Sequence, residues 1–167
     1  MLFFRLSQRK YSELHNEYFD YACQFIWRMT KEKDETEEIV QLAFIKLFKS
    51  LKTFKEESTL KTYFTRILIN TFYDETKKKR KNQLSLDEVT VEEHDDSVKE
   101  SDIEAYLQVA TPTQRTCLAL FYQDGFSVLE IAAILDASEG TVKSHLSRGR
   151  ATIKQFLSTK ECDHDSK

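Results

Sequence analysis

Proline occurs once and glycine three times among 167 residues. That scarcity of turn formers argues for helices, and no stretch of the chain carries the alternation of a strand. Cysteine is also sparse. Cys23, Cys117 and Cys162 lie far apart, are odd in number and have no metal-ligand spacing, which excludes a disulfide framework and suits a reducing cytoplasm. His15, His94, His145 and His164 do not cluster, so neither a metal nor any other cofactor is expected. No apolar run approaches the length of a membrane span. The apolar core of Met1–Lys10 is too short for a secretory signal. There is no phosphate loop, zinc spacing or nucleophile–base constellation, so no enzyme and no small-molecule substrate is expected.

What is present is an uneven charge. The total is only −3, but residues 1–81 hold 17 basic and 12 acidic side chains, residues 82–110 hold 1 and 9, and residues 111–167 hold 7 of each. Asymmetry of this kind says more about partners than the sum does. It divides the chain into a basic lobe at residues 1–81, an acidic linker at 82–101 and a second lobe at 102–167. The linker lacks helical periodicity and has the composition of a flexible tether.

The second lobe centres on Ser127–Arg150, SVLEIAAILDASEGTVKSHLSRGR. Ser127 and Glu130 form a capping box, in which hydroxyl and carboxylate each satisfy a backbone N–H at a helix start. Leu129, Ile131, Ala132 and Leu135 supply its buried face. Asp136 and Ala137 make a turn, since Asp tolerates a left-handed backbone, and Ser138 caps a second helix. Val142 and Leu146, one turn apart, face the first helix. Thr141, Lys143, Ser144, His145, Ser147, Arg148 and Arg150 form the opposite face, rich in donors and cations. This is the pattern of a recognition helix in a helix-turn-helix, with side chains for base edges and for phosphates. Gly149 within that helix costs up to about 1 kcal/mol relative to Ala. Upstream, Thr111, Pro112 and Gln114 predict a capped helix closed by Gly125, and Ser101 with Glu104 predicts another start. A frayed polar tail is expected from Thr159.

The first lobe reads as three helices. Tyr11–Met29 carries Leu14, Tyr18, Tyr21, Ala22, Phe25, Ile26 and Met29 at helical spacing. Thr30–Lys33 is a polar break, after which Asp34 and Glu37 form a capping-box-like start. The helix from Glu35 to Leu51 has more apolar surface than one core stripe needs, which implies a second buried contact beside Glu37, Glu38 and Gln41. Ser58 or Thr59 caps a third helix reaching about Arg80, with Leu60, Phe64, Ile67, Leu68 and Phe72 inward. Arg66, Asn70, Tyr73, Asp74 and Lys77 step along another face. Cations, an amide and aromatics together suit single-stranded DNA, and the KKKRK run at Lys77–Lys81 adds charge for phosphates.

Two segments resemble one family. TPTQRTCLALFYQDGFSVLEIAAILDASEGTVKSHLSRGRATIKQFL is similar to the C-terminal promoter-binding domain of bacterial extracytoplasmic-function sigma factors. ETEEIVQLAFIKLFKSLKTF and STLKTYFTRILINTFYDETKKKRK are similar to the N-terminal domain of the same family. The resemblance spans nearly all of Tyr11–Leu157. It implies an all-α chain of two small helical domains that binds core RNA polymerase and promoter DNA, duplex and melted, and starts transcription of a dedicated regulon in response to envelope or extracellular stress. Carried over by position, Glu37, Glu38, Gln41 and Phe44 grip the clamp helices of the largest polymerase subunit. Lys55, Ser58, Thr59, Arg66, Asn70, Tyr73, Asp74 and Lys77 meet the minus-ten element, where a base leaves the stack. Thr141, Lys143, Ser144, His145, Ser147 and Arg148 enter the major groove at the minus-thirty-five element. The family also implies an anti-sigma factor, often membrane-anchored, for a cytoplasmic chain. The chain departs from the family pattern at Glu38, Tyr63, Ile69 and His145, where aspartate, tryptophan, arginine and arginine are usual. Ile69 brings no cation for a phosphate contact, and histidine in place of arginine at position 145 is expected to make part of the helix charge depend on pH.

Two other classes compete. A helix-turn-helix regulator that never binds core polymerase would need a sensing or dimerising domain instead of the EEIVQLAF helix. A metal-dependent nuclease would draw on Glu37, Glu38, Asp74 and Glu75, but no other catalytic feature accompanies those carboxylates.

Overall fold

The computed structural model describes residues 2–51, 54, 58–84, 107 and 109–164. Residues 85–101 of the acidic linker, the Ser101–Glu104 capping box and Lys55 lie outside the described residues, while the first three linker residues, 82–84, are helical and continue the preceding helix. Within them every regular element is a helix: α1 (Leu2–Thr30), α2 (Lys33–Ser50), α3 (Leu60–Leu84), α4 (Pro112–Leu118) running into a π turn at Ala119–Gln123, α5 (Val128–Leu135) and α6 (Glu139–His164). The chain forms two compact units, Met1–Thr90 and Val91–Lys167.

Three helices outrun their expected limits. α1 begins at Leu2, α3 continues to Leu84, and α6 runs to His164 where a frayed tail was expected. Lys, Arg, Gln and Glu are good helix formers and continue a helix without an apolar stripe.

In the first unit α1 and α2 are antiparallel, and α3 packs across both. Lys31 turns the chain with a left-handed φ of 57°. The helix does not start on an Asp34–Glu37 capping box as expected. Its N-cap is Glu32, whose side chain makes no cap bond. The turn is tied instead by threonines: Thr36 donates to the Glu32 carbonyl at 2.7 Å and lies 2.9 Å from the Thr30 hydroxyl. Asp34 and Glu35 in the first turn complement the helix dipole. The core is filled by Phe25 and Ile26 of α1, Ile39, Val40 and Leu47 of α2, and Phe64, Leu68 and Ile69 of α3.

In the second unit the expected local chemistry is present. Thr111 and Gln114 form a capping box with Pro112 behind it, and Ser127 and Glu130 form another. Gly125 closes the preceding helix with φ 72°. Asp136 holds the left-handed turn after α5, and Ser138 caps α6 by accepting from the Thr141 N–H at 3.1 Å. Val142 and Leu146 are buried beside Ile131, Ala132 and Ile134. Leu129 was expected inside and is 66% exposed, with Ile134 taking its place. An apolar stripe on an eight-residue helix admits more than one phase.

Gly149 has a structural reason. A Cβ built on it would lie 2.8 Å from Leu118 Cδ1 and 3.4 Å from Gln114 Cβ. The missing side chain lets α4 seat directly on α6, which offsets the helix-propensity cost of glycine.

Candidate nucleic-acid and partner interfaces

Three exposed faces carry the sequence-predicted residues. The first is on α2, where Glu37, Glu38 and Gln41 are exposed as expected. Phe44 is not on this surface. It is 2% exposed and packs among His15 (ring centroids 4.6 Å), Phe64 (4.8 Å), Tyr11 and Phe19. The aromatic rings of α1 and α3 absorb most of the apolar surplus of α2. What remains outward is Ile45, 48% exposed and four residues beyond Gln41. On α1, Phe19 and Trp27 are also exposed, at 38% and 41%. Phe19, Cys23 and Trp27, spaced four apart, lie within a quarter turn of one another. The inward Leu14, Ala22, Phe25, Ile26 and Met29 leave Phe19 and Trp27 off the core stripe, and that offset was the available signal.

The second face is on α3. Arg66, Asn70, Asp74 and Lys77 are exposed in line, and Tyr73 is half-buried with its ring 5.3 Å from Phe72. Thr59 rather than Ser58 begins the helix, accepting from the Thr62 N–H at 3.1 Å. Both residues are exposed. Tyr63 packs on Phe54 of the preceding segment at 4.7 Å. Ile69 is buried, which accounts for an apolar residue at that position. Of the basic run, Lys79 pairs with Glu35 at 3.0 Å and Lys78 pairs with Glu75. Asp74 is held by Lys46 of α2 at 3.2 Å, a pairing that no spacing in the sequence foretells.

The third face is on α6. Thr141, Lys143, Ser144, Ser147 and Arg148 are exposed. Lys143 reaches back to Glu139 at 3.3 Å. His145 is half-buried, with Nδ1 buried and without a hydrogen-bond partner, so it is the least outward of the six. Arg150 donates to the Tyr122 hydroxyl at 3.1 Å.

No group of three or more His, Cys, Asp or Glu able to hold a metal occurs among the described residues. Burial pushes the Cys117 thiol up to about 11. Burial also raises Cys23, aided by Asp20 and Glu37. Both shifts disfavour the thiolate, the reactive form. No described helix is long and apolar enough to cross a membrane.

Comparison with known proteins separates the same two parts. Residues 14–82 match the family model of sigma-70 region 2, and residues 102–153 match that of sigma-70 region 4. The chain is 29% identical to the RNA polymerase sigma factor SigX of Bacillus subtilis, an extracytoplasmic-function type, over 86% of this chain and 81% of that protein. To SigW of the same organism it is 28% identical, over 90% of each. Among solved structures it is similar to the sigma factor RpoE of Bartonella quintana, in complex with the anti-sigma factor NepR. That match has 25% identity and a TM-score of 0.77, covering 90% of this chain and 98% of the other.

Proposed function

The chain belongs to the extracytoplasmic-function sigma factors of RNA polymerase, and on that premise we propose how its faces divide the work of the family. It binds core RNA polymerase, recognises the minus-ten and minus-thirty-five promoter elements and starts transcription of its own regulon. The family is one of initiation factors, not enzymes. The observation that carries this is the order of the two family matches, region 2 on the first compact unit and region 4 on the second.

In our division, residues 1–81 bind polymerase and melt the minus-ten element, residues 82–101 connect, and residues 102–167 read the minus-thirty-five element. Glu37, Glu38 and Gln41 form the polar part of the polymerase contact, with exposed Ile45 supplying the apolar part that Phe44 cannot. Arg66, Asn70 and Lys77, with Lys55, Ser58, Thr59 and Tyr73, face the melted strand. An amide such as Asn70 offers a donor and an acceptor at once, which suits the edge of an unpaired base. Thr141, Lys143, Ser144, Ser147 and Arg148 lie in the major groove, and His145 sits at its margin. An anti-sigma factor holds the chain inactive in the cytoplasm until an envelope signal releases it. The complex of the similar Bartonella sigma factor with its anti-sigma factor supports that part.

The decisive experiment is run-off transcription with purified core polymerase on a library of random promoters. Transcripts that start downstream of two spaced, enriched elements are expected. Strong specific duplex binding by the chain alone, with no stimulation of core polymerase, would point to a plain helix-turn-helix regulator.

A further inference from the structure

The carboxylate of Asp74 stands in the middle of a face proposed to meet phosphodiesters. Along α3 that face runs Arg66, Asn70, Asp74, Lys77, and an unpaired acid at its centre would repel the strand it is meant to hold. In the structure the acid is not unpaired. Lys46 reaches from α2 and places Nζ 3.2 Å from Asp74 Oδ2. An ammonium has three N–H groups, so a single acceptor leaves two for another partner. Both side chains are exposed. An exposed pair of this kind contributes little to stability, so folding alone gives little reason for it.

A second observation concerns the position before Asn70. Ile69 is buried in the core, so α3 itself supplies no cation there. The neighbouring cations on α3 are Arg66, one turn before Asn70, and Lys77, about two turns after. Lys46 comes from a different helix into the interval between them, and Asp74 is the group that fixes it there. A free lysine side chain samples many rotamers, and tethering it before binding removes part of the ordering cost.

We propose that Lys46 is a phosphate-contacting residue of the minus-ten surface and that Asp74 is the positioning residue that holds it, not a reader of bases. The proposal rests on the reading of the α3 face given above. Lysine acts here as a point charge, the chemistry suited to a phosphate rather than to a planar base edge.

The test uses holoenzyme reconstituted from the full chain and core polymerase. Binding to a pre-melted promoter is measured as a function of salt concentration. Lys46→Met is expected to weaken binding several-fold and to reduce the slope of log affinity against log salt by about 0.7, the value for one phosphate on a single strand. Lys46→Arg should retain the wild-type slope. In an Asp74→Asn background the loss from Lys46→Met should largely vanish, because the lysine is no longer held in place. Asp74→Glu should restore it. The base preference at each minus-ten position should be unchanged by Asp74→Asn. An unchanged slope in Lys46→Met, or the same loss in both backgrounds, overturns the proposal, as does an altered base preference in Asp74→Asn. Arg66→Ala separates the two levels. If it lowers the slope and Lys46→Met does not, the ion pair is uninvolved while the face stands. If neither moves the slope, the face itself is not on the DNA.

Discussion

At the scale of single residues, the consequential positions are those where one atom decides the packing. Gly149→Ala adds the better helix former yet should destabilise the second unit, because the new Cβ meets Leu118 Cδ1 at 2.8 Å. Overpacking of this sort costs about 1–3 kcal/mol, more than the propensity gain of about 1 kcal/mol. Thermal melting should show the loss, and a raised melting temperature would mean that Leu118 moves aside freely. Phe44 and Ile45 form a second contrast, adjacent in sequence and opposite in burial. Phe44→Ala should cost about 3–5 kcal/mol of stability as a large-to-small core change. Ile45→Ala and Gln41→Ala should leave the melt nearly unchanged and weaken retention by core polymerase. The reverse pattern, a stable Phe44→Ala and a fully active Ile45→Ala, would show that the outward side of α2 has been misidentified.

At the scale of elements, α3 and α6 should fail on different templates. Arg148→Ala is expected to lose about 1–3 kcal/mol of promoter binding if its contact is bidentate to a base. That loss should be largely absent on a template already opened around minus ten, where duplex readout matters less. Asn70→Ala should do the opposite: stability is kept or slightly raised, since Ala is the better helix former, and discrimination at one minus-ten position falls. Competition among single-stranded oligonucleotides in the presence of core polymerase measures the second effect, and equal losses for both variants on both templates would refute the division. These elements were largely legible in the sequence, because caps and turns are local chemistry. The Ser127–Glu130 and Thr111–Gln114 boxes, the left-handed Asp136 and the closing Gly125 each need only a few neighbours to act. The orientation of α2 was not legible in the same way. Eight apolar side chains between Ile39 and Phe48 are compatible with several inward faces, and the aromatic cluster on α1 decides among them. On α5, Leu129 is outside and Ile134 inside for the same reason. The Lys46–Asp74 pair joins residues 28 apart in the chain and exists only once α2 and α3 lie side by side.

At the scale of the whole molecule, the net charge of −3 sets a limit on independent action. DNA affinity comes chiefly from released counterions, and a chain with this balance has little to spare beyond its basic faces. The free protein should therefore bind duplex promoter weakly at physiological salt, while the reconstituted holoenzyme binds it tightly. Electrophoretic mobility shift with and without core polymerase measures the difference. Tight, sequence-specific retention of duplex by the free chain would contradict the dependence on polymerase.

The contact between Gly149 and Leu118 also bears on how such a protein could diverge. Along α6 the positions that touch the rest of the unit, Val142, Leu146 and Gly149, are interleaved with those that face outward, Lys143, Ser144, Ser147 and Arg148. The first set is buried, and at Gly149 a single added methyl group already meets Leu118, while the second touches solvent. On the proposed reading of α6 as the helix that enters the major groove, promoter preference can be rewritten by exchanging the outward side chains alone, and duplicated copies of the gene could drift towards new target sets without first surviving an unstable intermediate.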